Sequence, residues 1–117
     1  MRSLCALLIS AVMFATRLFA ADAFVFVSNG QTITNGRPVS VKALRARYSG
    51  SYFWFSTGEK SYLVRDAKVL KRIKAIYAPV FSADPASIDE VNRDIERQLH
   101  DLSRQLIAQR VAVEVSK

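Results

Sequence analysis

The sequence is short of the residues that build most catalytic and metal sites. It has one cysteine and one histidine among 117 residues, with only four glycines and three prolines. A single cysteine excludes a disulfide framework, and one imidazole is too few for a metal site of His and Cys ligands. The glycines form no phosphate loop, no dinucleotide fingerprint and no Gly-x-Ser-x-Gly elbow. We therefore expect neither an enzyme nor a metal or organic cofactor.

The remaining acid and base side chains do not suggest catalysis either. The paired carboxylates Asp89/Glu90 and Asp94/Glu96 are interleaved with arginines, as on the solvated face of a helix. His100 lies on the same segment, and one imidazole with no partner is expected to be a solvated helical histidine.

The first twenty residues have the layout of a secretory signal peptide. Arg2 gives a positive start, residues 4–15 are apolar or small, and alanines follow near the end. This run of 12 residues is shorter than the roughly 20 that span a bilayer. We predict a leader at residues 1–20, cleaved after Ala20 or alternatively after Ala23, with a retained anchor as the other interpretation. The protein would then be exported, to the periplasm or the medium.

Positive charge is concentrated in one part of the chain. After residue 20, fifteen basic and ten acidic residues remain, a net charge of +5. Residues 37–74 carry ten bases against two acids, whereas residues 84–117 carry five bases against seven acids. A block with a net charge of +8 would attract anionic lipid headgroups or other polyanions.

Residues 21–80 predict a small α+β body that begins with a hairpin. Two β-rich runs, Phe24–Val27 and Gln31–Thr34, flank Asn29-Gly30, a dipeptide typical of a tight turn. The second run is short and polar, so it is expected at a sheet edge.

An aromatic hairpin is the strongest local pattern. Tyr52–Phe55 and Tyr62–Val64 flank a turn that contains Gly58. Because strand side chains alternate, Tyr52 and Trp54 point to one face, and Phe53 and Phe55 to the other. This strand therefore needs cover on both sides.

Helices are predicted on either side of the aromatic hairpin. Ser40 can cap a short helix closed near Gly50, although a strand is the alternative there. Asp66 can cap a second helix that Pro79 ends, with an apolar arc and an opposite basic arc.

Residues 81–117 predict a hinge and one long amphipathic helix. The helix begins at Asp84-Pro85 or at a capping box at Ser87, and its apolar stripe repeats every 11 residues. From Pro85 to Ala112 its 28 residues would be about 42 Å long, against about 20–25 Å for the body. Part of the stripe is therefore expected to contact another chain. The predicted pairing residues are Ile95, Leu99, Leu102 and Leu106.

The stretch Gly50–Val80 resembles a short module of uncharacterised bacterial envelope proteins. The matching residues are Tyr52-Phe53-Trp54-Phe55, Gly58, Tyr62-Leu63-Val64, Arg65-Asp66 and Ala78-Pro79. The resemblance implies a hairpin followed by a helix and an envelope location, and it implies no activity and no site. In the module Gly- and Gln-rich repeats often follow, whereas this chain continues with an Arg- and Asp-rich helix.

These patterns predict an exported, non-catalytic interaction or assembly module. It would self-associate or bind a protein partner through its C-terminal helix. The alternative is binding of a polyanion or a phospholipid or lipopolysaccharide surface through residues 37–74. The predicted anion contacts are Lys68, Lys71, Arg72 and Lys74. Nucleic acid is not expected as a partner, and Trp54 is expected in the core.

Overall fold

A computed structural model describes residues 21–116 as a five-stranded antiparallel sheet with helices on both faces. The strands are β1 (Ala23–Ser28), β2 (Gln31–Gly36), β3 (Tyr52–Ser56), β4 (Ser61–Val64) and β5 (Val113–Val115). The helices are α1 (Val41–Arg47), α2 (Ala67–Tyr77) and α3 (Ile88–Ala108), with a 3-10 helix at Ala78–Phe81. The strand order is β2-β1-β3-β4-β5. The predicted α+β class is confirmed, and the predicted leader lies outside the described residues.

Both predicted hairpins form. Asn29 and Gly30 have φ values of 49° and 81°, and this pair of positive φ angles suits the tight turn between β1 and β2. As predicted, β2 is an edge strand with β1 as its neighbour. In the aromatic hairpin Ser56 lies opposite Ser61, and the Thr57 N–H donates to the Lys60 carbonyl at 2.9 Å.

Strand alternation gives the sheet two apolar faces. The two-helix face, covered by α2 and α3, carries Phe24, Phe26, Phe53, Phe55 and Val64. The one-helix face, on which α1 packs, carries Ala23, Val25, Val27, Tyr52 and Trp54. The predicted division of the β3 aromatic side chains between two covered faces is therefore confirmed.

The predicted short helix forms as α1, and the alternative strand does not. The Ser40 hydroxyl accepts a hydrogen bond from the Ala43 N–H at 3.2 Å, the expected N-cap interaction. The helix ends at Arg47, and Gly50, with φ of 77°, lies in the connection to β3 rather than at the helix end. Only Leu44 of its seven residues is buried, so α1 covers a small part of its face.

The helix α2 follows Asp66, as predicted, although the Asp66 side chain makes no capping hydrogen bond. It ends at Tyr77, and Pro79 lies in the 3-10 helix that continues it. Ile73 and Tyr77 are its buried residues, and the Tyr77 ring stacks on Phe26 with centroids 5.7 Å apart. These contacts fix α2 on the two-helix face.

The last helix is shorter than predicted, chiefly at its C-terminal end. The helix α3 has 21 residues, about 32 Å, and begins after Ser87, the second of the two predicted starts. It stops at Ala108 because Arg110 adopts a left-handed φ of 61° and the Ala112 N–H turns back to the Leu106 carbonyl at 3.1 Å. The chain then forms β5, which pairs with the open edge of β4.

The predicted separation of residues 81–117 from the body is also wrong. The apolar stripe of α3 lies in the same hydrophobic core as β1, β3 and α2, and β5 belongs to the same sheet. No helix among residues 21–116 is long and apolar enough to cross a membrane.

Candidate functional site

The residues predicted to pair with another helix form the chain's own core. Ile95, Leu99, Leu102 and Leu106 are 1%, 0%, 2% and 2% exposed, respectively, and all pack on the two-helix face. Pairing through them would require α3 to leave the sheet. The expectation of an unpartnered stripe is wrong because it treated α3 as lying outside the body, whereas α3 supplies four buried residues of that core.

The predicted anion contacts are all on the solvent side of α2. Each of these four side chains is exposed, and within the described residues none has an ion pair: Lys68, Lys71, Arg72 and Lys74. The helix itself contains no acidic residue. Its outer surface therefore carries four positive charges that no carboxylate neutralises.

The outer surface of α3 is different, since its arginines are held by the helix itself. Arg97 pairs with Asp94, and Arg104 pairs with Asp101, each one turn earlier. The Arg93 Nε donates to the Asp89 carbonyl at 3.4 Å. A ligand that binds these arginines would have to displace existing partners.

The structure divides the predicted basic block between the two sides of the sheet. The cations of α2 lie over the two-helix face, whereas Lys42, Arg45 and Arg47 belong to α1 on the other side. The net charge of +8 is therefore not one patch.

A pocket of about 420 Å³ lies beside α1 on the one-helix face, where sequence reasoning identified no site. We call it the Trp54 pocket. Its apolar lining is Val39, Ala43, Leu44 and Trp54, and its polar lining includes Arg37, Arg47, Ser56 and Ser61. The only sequence sign of it is the switch from aromatic residues to serine on one face of the β3–β4 hairpin.

Hydrogen bonds hold the polar wall of this pocket in place. The Ser56 hydroxyl donates to the Lys60 carbonyl and accepts from the Gly58 N–H, both at 3.2 Å. The Arg47 Nη1 donates to the Ser116 carbonyl at 2.9 Å. The Arg37 Nε lies 3.2 Å from the Asp22 Oδ2. Neither arginine is buried, and no carboxylate belongs to the pocket lining.

Two buried tyrosine hydroxyls, one on each face of the sheet, have no hydrogen-bond partner within residues 21–116. Burial raises the pKa of Tyr77, and Glu96 raises it further. Burial also raises the pKa of Tyr52, but the positive charges of Arg45 and Arg65 partly oppose this shift. Both groups therefore stay protonated at neutral pH.

Among residues 21–116 no group of three or more His, Cys, Asp or Glu side chains is placed to hold a metal ion. His100, expected to be fully solvated, is half-buried, and its ring meets Phe24 edge-on at 5.1 Å. The imidazole therefore contributes to the rim of the two-helix core.

Comparison with known proteins identifies no relative. No protein family, no curated protein and no solved structure matches the chain. Its function is therefore inferred from its own geometry.

Proposed function

We propose that this is an exported, non-catalytic binding protein that attaches to an anionic envelope surface through α2. The surface is one of phospholipid or lipopolysaccharide headgroups. The observation that supports the proposal is the row of four exposed cations, none ion-paired within residues 21–116, on a helix that has no acidic residue.

The spacing of these cations suits a flat partner. At 100° per residue, Lys68, Lys71 and Arg72 lie within an arc of about 100°. Lys74 extends this arc to about 160°, and Ile73 and Tyr77 lie on the opposite side of the helix. Since the buried side of α2 is fixed on the sheet, this arc faces solvent as a rigid array. Each cation near an anionic leaflet contributes about 1 kcal/mol of attraction.

Vesicle sedimentation tests the proposal directly. We expect the purified protein to sediment with phosphatidylglycerol vesicles at low salt and not with phosphatidylcholine vesicles. Binding should fall steeply with added salt, because the screening length shortens from about 30 Å at 0.01 M to about 3 Å at 1 M.

Two charge-reversal variants with the same net charge distinguish binding through α2 from attraction by the net charge of the whole protein. Lys71→Glu/Arg72→Glu should lower partitioning at least about thirtyfold, since about 2 kcal/mol is lost with two cations. The matched control is Arg97→Glu/Arg104→Glu on α3, whose arginines are already paired. Equal losses in both variants, or binding that does not depend on salt, would contradict the proposal.

Self-association or binding of a protein partner stays a prediction. It would have to use a surface other than the apolar stripe of α3, because that stripe is buried in the core. Light scattering of the purified protein at two salt concentrations measures it independently of vesicle binding.

A further inference from the structure

We propose that the Trp54 pocket is a binding site for a small amphipathic anion, an apolar body that carries one carboxylate or phosphate group. This site is separate from α2, which packs on the opposite face of the sheet.

The pocket exists because α1 is too short for the face it covers. The sheet has five strands, whereas α1 has seven residues and buries only Leu44. The helix does not cover the end of the face where Ser56 pairs with Ser61, and this end lies beside α1. The resulting volume of about 420 Å³ is within the range of about 300–1,000 Å³ typical of small-molecule sites.

The apolar part of the pocket can take a hydrocarbon or aromatic body. Trp54 and Leu44 are each 8% exposed, while the neighbouring core residue Val25 is completely buried. Val39 and Ala43 complete this lining. Binding an apolar ligand would remove the apolar surface of the ligand and of these side chains from water. This burial is the main source of affinity for an apolar ligand.

The polar part selects a negative headgroup. Arg37 and Arg47 line the pocket, and the lining contains no acidic residue. A guanidinium has five N–H donors, and the structure uses one in Arg47 and one in Arg37. Arg47 bonds only a neutral carbonyl, so it keeps its charge and its other donors for a carboxylate or phosphate oxygen. Arg37 is already ion-paired with Asp22 and is the weaker anion contact of the two.

The chain contains a built-in reporter for this site. Trp54 is its single tryptophan, so intrinsic tryptophan fluorescence observes the pocket alone. The probes are decanoate, decyl phosphate, decyltrimethylammonium and decanol. The three ions are used below their micelle concentrations, and decanol is used below its solubility limit. We expect a saturable change with the two anions and affinities at least about tenfold lower for the cation and the alcohol, since charge-assisted hydrogen bonds are lost.

Variants assign the binding to the pocket. Ala43→Leu should abolish the change because its side chain fills the pocket, whereas Ala46→Leu, on the same helix but outside the lining, should not. Arg47→Gln should weaken decanoate binding roughly tenfold, the value of a charge-assisted hydrogen bond. Arg97→Gln on α3 is the matched control and should have no effect. Thermal unfolding of each variant shows whether its fold is retained.

Three results would overturn this proposal. They are equal binding of anionic and cationic probes, decanoate binding that Ala43→Leu leaves unchanged in the folded protein, and a fluorescence change that only phosphatidylglycerol vesicles produce. The last result would assign the signal to a membrane surface. Loss of vesicle binding in Lys71→Glu/Arg72→Glu with decanoate binding intact would show that the two sites are independent.

Discussion

The two faces of the sheet are covered in different ways, and the difference separates stability from binding in this protein. On the two-helix face, Phe24, Phe53 and Leu99 are at most 1% exposed and are closed in by α2 and α3. On the one-helix face, seven residues of α1 leave a pocket beside Trp54. A sheet with apolar residues on both faces needs helices packed on both. Here α2 and α3 cover one face completely, whereas α1 covers only part of the other.

The two faces should differ most in how much free energy of unfolding is lost when a leucine on each face is replaced by alanine. Leu99→Ala on the two-helix face should lower the free energy of unfolding by about 3–5 kcal/mol, because the surrounding rings cannot collapse into the cavity. Leu44→Ala on the one-helix face should cost about 1–2 kcal/mol, since Leu44 is 8% exposed and borders an open pocket. Urea unfolding measures both. Equal costs would contradict the distinction between a closed face and an open one.

The next largest effect is expected at Gly36, the last residue of β2, which approaches Asp22 closely. Gly36 has a φ of 81°, and a Cβ there would lie 2.3 Å from the Asp22 carbonyl oxygen. Gly36→Ala should therefore destabilise the protein by about 2–3 kcal/mol, from strain and from the forced shift of Asp22. Gly50→Ala is the control, since its φ of 77° is similar but no atom lies within 4 Å.

For Gly50→Ala we expect about 1 kcal/mol, the cost of the backbone conformation alone. If the two glycine variants unfold at the same urea concentration, the close approach of β2 to Asp22 does not add to the cost of the Gly36→Ala substitution.

The smallest expected effect compares the two unpartnered tyrosine hydroxyls. Tyr77→Phe should stabilise the protein by about 1 kcal/mol, because it removes a buried hydroxyl without a partner. Tyr52→Phe on the one-helix face should have a similar effect, since its buried hydroxyl also has no partner among residues 21–116. Thermal unfolding at neutral pH measures both differences, and a destabilised Tyr77→Phe variant would contradict the account of Tyr77.

Tyr77 also predicts a dependence on pH. An unfolded tyrosine ionises near pH 10.0, whereas burial raises the pKa of Tyr77 in the folded protein. The unfolded chain therefore loses this proton first, and stability should fall as the pH rises above about 10. The advantage of Tyr77→Phe over the parent should grow in the same range. A constant difference between pH 8 and pH 11 would be inconsistent with the raised pKa.

Local sequence patterns predicted most of the strands and the two shorter helices. Asn29-Gly30 specifies a tight turn through its positive φ angles, and Ser40 supplies a cap, so both signals act within a few residues. The exposure of Lys68 and Lys74 on α2 was also predictable, because the helical repeat that places the apolar residues on one side places the charged residues on the other.

The end of α3 and the strand β5 were not predictable in this way. No glycine or proline marks Arg110, and the residues from 86 to 115 read as one helical repeat. The helix stops where β4 offers an open edge that pairs with residues 113–115. That competition depends on a strand about fifty residues earlier in the chain, which no local pattern encodes.

The sequence by itself determined which residues are apolar, where the first four strands and the two shorter helices form, and which side of each helix faces water. These properties depend on side-chain alternation and helical repeat, which are local. Only the tertiary structure decided what covers each apolar side. It placed Leu102 on the chain's own sheet rather than on another chain, and it left Trp54 beside a helix too short to cover it. Burial depends on residues distant in sequence, so the core and the pocket appear only when the chain is folded.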